Sequence, residues 1–182
     1  KINDSANALL AFDSAARATY NKAISEDALY NYVVLTNNAS VSVFSQSIAS
    51  AQRFLTEYPN SKYTNEVNSV LATTLLSTKD YAAALTAINS IKSPGKQVLE
   101  AKQMILFQQG AQQFINGKYD AAINDFNASI NMGSYNADAR NEAYFWRGET
   151  SYRQGSYAQA AKDYATYVSI ASPSKSNYTL AL

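Results

Sequence analysis

The sequence predicts an all-α protein, a solenoid of about four helix–turn–helix repeats with flanking helices. Three observations predict it. A pattern of small and aromatic residues returns every 38 residues, as in Tyr81, Tyr119 and Tyr157. Within each copy the apolar residues step by three and four, which is the spacing of one helix face. No segment alternates with period two for long enough to make a strand.

Each element follows from its own residues. Leu9, Phe12, Ala16, Tyr20 and Ile24 mark one amphipathic helix in a half unit over residues 1–25. A degenerate repeat covers 26–60: a helix from about Glu26 to Asn37, then the stripe Phe44, Ile48, Ala51, Leu55 and Tyr58. Tyr58-Pro59-Asn60-Ser61 closes it with a turn. Three clearer repeats span 61–92, 93–132 and 133–171, and residues 172–182 begin a further helix. In the first helix of the middle copy, about Pro94 to Asn116, Ser93 is the expected N-cap and Pro94 occupies the first turn.

The repeat positions have physical roles. Ala72, Gly110 and Gly148 recur in the first helices, and Ala84, Ala122 and Ala160 follow each Tyr by three residues. Small residues at such places let two helix backbones approach closely, and a larger side chain would wedge them apart. Gly117 and Gly155 stand just past helix ends, where a left-handed residue terminates the helix. Lys79 takes that place in the first copy.

Composition narrows the function. Of 182 residues, 47% are hydrophobic, which suits a folded chain. Fifteen basic against fourteen acidic residues leave a net charge of +1, with no cationic excess to hold a nucleic-acid backbone. The chain has no Cys and no His, which removes a thiolate nucleophile, an imidazole base and a Cys/His zinc site. No cofactor is expected, and no apolar run is long enough for a transmembrane segment. The chain opens on Lys1 without an apolar signal core and finishes in an apolar-spaced stretch, Tyr178, Leu180 and Leu182. The expectation is a piece of a longer protein, weakly self-associating through truncated ends.

These residues resemble the tetratricopeptide repeat family. Gly110, Gly117, Tyr119 and Ala122 match its pattern, as do Gly148, Gly155, Tyr157 and Ala160; Ala72, Tyr81 and Ala84 match with Lys79 replacing the turn glycine. The resemblance implies a right-handed α–α superhelix that binds a protein or peptide partner on a concave face and is not an enzyme. Tyr58-Pro59-Asn60-Ser61 and Glu142-Ala143-Tyr144-Phe145-Trp146-Arg147-Gly148-Glu149 further resemble bacterial cell-envelope members, of the outer-membrane assembly lipoprotein and Tol–Pal coordinator type. That implies a scaffold in the periplasm or at the outer membrane, with the cytoplasm as the alternative.

The family's groove-facing positions fall on Glu66, Ser69, Thr73 and Leu76, then Met104, Phe107, Ala111 and Phe114, then Glu142, Phe145, Glu149 and Tyr152. Phe107, Phe145 and Tyr152 would make an aromatic strip flanked by Glu142, Glu149 and Arg153. The competing reading is that these aromatics pack between units as core. Chaperone-binding members hold a carboxylate with Lys, Arg and Asn. Here those places carry Ser69, Thr73, Phe107, Ala111, Phe145 and Glu149, so the implied ligand is an apolar or mixed surface rather than an acidic tail.

Sharper alternatives carry less support. Glu142 and Glu149, seven residues apart on a helix, place their Cα atoms roughly 10 Å apart, too far for a retaining acid pair. Asn124-Asp125-Phe126-Asn127 and Asn136-Ala137-Asp138 lack the turn Gly and terminal Glu of a calcium loop. Helix capping accounts better for Asn136. Fourteen Tyr and one Trp offer a second class, an envelope glycan-binding accessory protein using surface aromatics. The Asn-x-Ser/Thr triplets at Asn3, Asn38, Asn127 and Asn177 have no assigned role.

Overall fold

The computed structural model describes residues 4–18, 20–37 and 44–182. Asn3 and Asn38, with the parts of the half unit and degenerate repeat at 1–3, 19 and 38–43, lie outside the described residues. The described residues are all-α, with no strand, and the fold class is the tetratricopeptide-like one. In order they are α1 (Ser5–Arg17), α2 (Lys22–Thr36), α3 (Phe44–Glu57), α4 (Thr64–Ser77) and α5 (Tyr81–Asn89). There follow α6 (Lys96–Ile115), α7 (Tyr119–Asn131), α8 (Ala137–Arg153), α9 (Tyr157–Ile170) and the short α10 (Tyr178–Ala181). The chain divides into two compact units: residues 1–79 with 86–98, and residues 80–85 with 99–182. Helices α1 to α4 pack as consecutive neighbours within the first unit and α7 to α10 within the second.

The first unit departs from the expected helix pattern in two places. The stripe Leu9 to Ile24 is two helices rather than one. Asp4 caps α1 by accepting from the Asn7 N–H, and Asn21 caps α2 by accepting from the Ala23 and Ile24 N–H groups. A new cap ends the periodicity, so Tyr20 is left 86% exposed between the helices. The second difference is at Pro94. Helix α6 starts two residues later, at Lys96, and Ser93 does not cap it. Gly95 instead donates its N–H to the Asn68 side-chain carbonyl at 3.2 Å, which holds the segment outside the helix.

The core of this unit is Leu29, Val33, Ala51, Phe54, Val67, Leu71 and Leu75, all fully buried. Tyr30 stacks flat on Tyr63, with ring centroids 3.9 Å apart, and both rings edge onto Phe54. A hydroxyl layer lies beside it: Thr36 and Ser50 share a hydrogen bond of 2.9 Å, and Thr74 donates to Asn37 at 2.7 Å. Buried hydroxyls need such partners, since an unpaired one costs about 1–3 kcal/mol. The α4–α5 turn has no glycine. Thr78 is extended there, and Asp80 caps α5 by accepting from the Ala83 N–H at 3.0 Å.

In the second unit the repeat is geometric as well as sequential. Helices α6 and α8 end in the same way. Gly117 and Gly155 have φ of +72° and +77°. Around each glycine the reversed bonds recur: Gly117 to Phe114 and Lys118 to Gln113, then Gly155 to Tyr152 and Ser156 to Ser151. Such paired bonds satisfy carbonyls that a helix end would otherwise leave open. Close approach recurs too. A Cβ on Gly110 would lie 2.7 Å from Phe126 Cε1, and one on Gly148 would lie 2.9 Å from Tyr164 Cε1, the residue 38 places on.

A buried glutamine joins α6, α7 and the loop before α8. The Gln103 amide nitrogen donates to the Ser129 and Gly133 carbonyls at 2.8 Å each. Its carbonyl accepts the Asn136 N–H at 2.6 Å, and Ser129 Oγ donates to the Gln103 backbone carbonyl. Gln103 is wholly buried with these bonds made.

Candidate functional site

The ten residues read as partner-contacting fall on α4, α6 and α8, and the structure gives them different surroundings. On α4, Glu66 is exposed, and its carboxylate acts on the Tyr30 phenol. Glu66 first, with burial second, pushes that phenol up to about 12. Thr73 is exposed, bonds back to the Ser69 carbonyl at 2.9 Å, and borders a cavity of about 310 Å³ with Asn37, Phe44, Thr74 and Ser77.

On α6, Met104, Phe107 and Phe114 are half-buried. Phe107 leans on Phe126 with centroids 6.2 Å apart. Phe114 lies between Tyr119 at 5.7 Å and Trp146 at 5.3 Å. These rings form the margin of a core cluster around Ala122, Phe126 and Ala143, with Ile130 beside them. Their outer edges remain in reach of solvent.

On α8 the expected aromatic strip is interrupted. Phe145 is only 3% exposed and is ringed by Trp146, Tyr164 and Tyr167 at centroid distances of 5.4 to 5.8 Å. The core reading holds for this residue, because α9 brings two tyrosines against it. The flanking carboxylates are also occupied. Glu149 accepts from the Tyr164 phenol at 2.6 Å; Glu142 accepts from Tyr167 at 3.0 Å and from the Asn177 amide at 2.8 Å. Burial first, then these carboxylates, pushes the Tyr167 phenol up to about 12 and the Tyr164 phenol up as well. The two Glu therefore serve separate phenols. Of the α8 residues, Tyr152 and Arg153 face outward, Tyr152 being 55% exposed.

The small repeat residues Ala72, Ala84, Ala122 and Ala160 are buried, and Tyr81 and Tyr119 are half-buried. Tyr157 differs. It is 64% exposed and touches Tyr152 edge-on at 5.3 Å.

Three features escaped the sequence reading. Arg147 donates from Nη2 and Nε to both oxygens of Asp163, at 2.6 and 2.9 Å, and from Nη1 to Asn127 at 2.6 Å. Its guanidinium also lies over the Tyr144 ring at 5.3 Å. The Gln103 network and the exposed Tyr152–Tyr157 pair are the others. A 38-residue comparison of α8 with α6 could have flagged the first, since Gln109 stands where the later copy has Arg147. Asn136 caps α8 by accepting from the Ala139 N–H at 3.0 Å.

The chemistry of this arrangement is that of helix packing: phenols donate to carboxylates and an Arg pairs with an Asp within the chain, and half-buried rings border an apolar cluster. No helix among the described residues is long and apolar enough to cross a membrane. Residues 114–176 match the tetratricopeptide repeat family model. No curated protein and no solved structure matches the chain. Repeats of this kind commonly mediate protein–protein interaction and typically serve as non-catalytic scaffolds, so the match supports protein partners for this part of the chain.

Proposed function

We propose that this chain is a non-catalytic scaffold segment of a larger tetratricopeptide protein of the bacterial envelope, taking a protein partner on the face formed by α6 and α8. The observation that carries this reading is the repeated geometry of the second unit. Gly110 against Phe126 and Gly148 against Tyr164 set two hairpins at matching close approach. Such close packing supports a surface already formed before a partner arrives, on which binding would order little and cost less entropy. Met104, Phe107 and Phe114 supply apolar edges, and Tyr152 with Arg153 supplies the outward aromatic and cation favoured at interface anchors.

Partner capture by crosslinking and mass spectrometry tests this. Tyr152→Ala and Arg153→Glu should weaken capture while circular dichroism stays helical; capture untouched by both would remove the α8 surface from the proposal. A glycan array tests the aromatic-platform alternative, which sugar binding abolished by Trp146→Ala would favour. The envelope setting rests on the Tyr58-Pro59-Asn60-Ser61 turn and the α8 sequence, and fractionation of the parent protein decides between periplasm, outer membrane and cytoplasm. Exposed Leu10, Leu180 and Leu182 support weak self-association. Light scattering that stays monomeric at high concentration would refute it.

A further inference from the structure

Asp125 on α7 and Asp163 on α9 stand 38 residues apart, in equivalent places of two successive hairpins. A Cβ on Gly110 would lie 3.2 Å from Asp125 Cβ, and one on Gly148 would lie 3.3 Å from Asp163 Cβ. Each aspartate therefore sits at the close crossing of its own hairpin. Their partners differ. The buried Asp163 accepts two bonds from Arg147, at 2.6 and 2.9 Å, and a third from the Gln159 amide at 3.2 Å. The same step back from those two donors reaches Gln109 and Ala121. An alanine side chain has nothing to donate, and no hydrogen bond joins Gln109 to Asp125. Among the described residues the half-buried Asp125 has neither a hydrogen-bond donor nor a counter-charge. Burial accordingly pushes its carboxyl above the ordinary value.

The paired copy shows which group the place accepts. There a planar guanidinium meets both carboxylate oxygens at once, a fit that the point charge of an ammonium does not reproduce. The chain has five arginines. Arg17, Arg53 and Arg147 are paired with carboxylates of this chain, and Arg140 donates to Ser134. Only Arg153 is left, so the chain has almost no guanidinium of its own to offer.

We propose that Asp125 is the receptor for an arginine side chain of a partner protein, held as Asp163 holds Arg147. The scaffold reading supplies only the source of that arginine. The chemistry of the place stands on α6 and α7 without it.

The test is carbon-detected spectroscopy of the whole chain, its aspartates labelled, at neutral pH. Methylguanidinium should shift the Asp125 carboxyl saturably. It should bind about tenfold more tightly than methylammonium, the factor for one added hydrogen bond to a charged group. Gln109→Arg should abolish the response by filling the place from within the chain, while circular dichroism stays helical. A capped arginine peptide should bind at least as well as free arginine. Tighter binding of free arginine overturns the proposal in favour of a small-molecule ligand. A shift no larger than those of the exposed Asp120 and Asp138 overturns it too. So does a response that survives Gln109→Arg, or a Gln109 amide found bonded to Asp125 in solution. A concentration-dependent dimer that Arg153→Glu dissolves, with Asp125 shifted only in the dimer, overturns it in favour of a second copy. Tyr152→Ala should leave the methylguanidinium response unchanged whether or not it weakens partner capture, so this site and the α6–α8 face fail separately.

Discussion

Arg147 and Asp163 form a two-bond ion pair between α8 and α9, at 2.6 and 2.9 Å, with the aspartate side chain almost wholly buried. A third bond from the same guanidinium reaches Asn127 on α7. One side chain thus ties three consecutive helices. Arg147→Ala should destabilise the chain by about 3–5 kcal/mol, because it leaves a buried carboxylate without its counter-charge, only the Gln159 amide at 3.2 Å still donating to it. Arg147→Lys should recover only part of that, since an ammonium cannot match both oxygens and Asn127 at once. Replacing both partners by leucine should cost much less than Arg147→Ala alone. Denaturant melts of the three variants check the order.

Two shifted phenols predict a loss of stability in alkali. Tyr30, beside Glu66, and the buried Tyr167 are each pushed up to about 12, above the ordinary value near 10. The folded chain therefore keeps protons that the unfolded chain releases between those values. Their stabilising contribution is complete below a pH of about 10 and falls away as pH rises towards 12. Tyr167→Phe should flatten this fall. Denaturation midpoints over an alkaline series, with ultraviolet titration of tyrosinate, measure it; phenols that all ionise at the ordinary value before unfolding would contradict the buried bonds.

The two close-approach glycines should respond unequally to alanine. Replacing a helical glycine gains about 1 kcal/mol of helix propensity, and overpacking costs about 1–3. At Gly110 the added Cβ meets Phe126 at 2.7 and 2.8 Å, and that ring is fully buried. At Gly148 it meets Tyr164 at 2.9 and 3.0 Å, slightly less close, and that ring is half-buried rather than fully buried. Gly110→Ala should be net destabilising and Gly148→Ala near neutral, while Gly148→Leu should cost about 1–3 kcal/mol. Equal thermal shifts for the two alanine variants would rule out this account.

Gln103→Leu keeps the side chain's bulk and removes its bonds. The Ser129 and Gly133 carbonyls and the Asn136 N–H then lose their partner, and the loss should be at least about 2 kcal/mol. Hydrogen exchange should quicken at Asn136 before it quickens in mid-α8.

Asp125 is the repeat equivalent of Asp163, but Gln109 occupies the place of its arginine. Burial pushes the Asp125 carboxyl above its ordinary value. Its stabilising contribution is complete below the unfolded value near 4 and is lost as pH rises through the raised folded value. Gln109→Arg should pull that value down and raise stability at neutral pH. A carbon-detected titration of Asp125 that does not move would count against the equivalence.

Much of the architecture was legible in local sequence. Period, paired helices, terminating glycines and buried small residues each follow from what one helix turn or one close crossing demands. The α1–α2 break was legible only in retrospect, because Asn21 caps a helix within a stripe that otherwise continues. The candidate site was less legible. Phe107, Phe145 and Tyr152 share one helical spacing, yet the first is marginal, the second is core and the third is open.

The 182 residues by themselves determined an all-α hairpin array with a 38-residue step, since backbone geometry and side-chain size act within a turn or two of helix. The tertiary structure alone decided which side chains meet. Burial of Phe145, the bonds of Gln103 and the pairing of Arg147 depend on atoms 16 to 33 residues away in sequence. A side chain's chemistry says what it can bond to, and only the helix packed opposite says whether that partner is there.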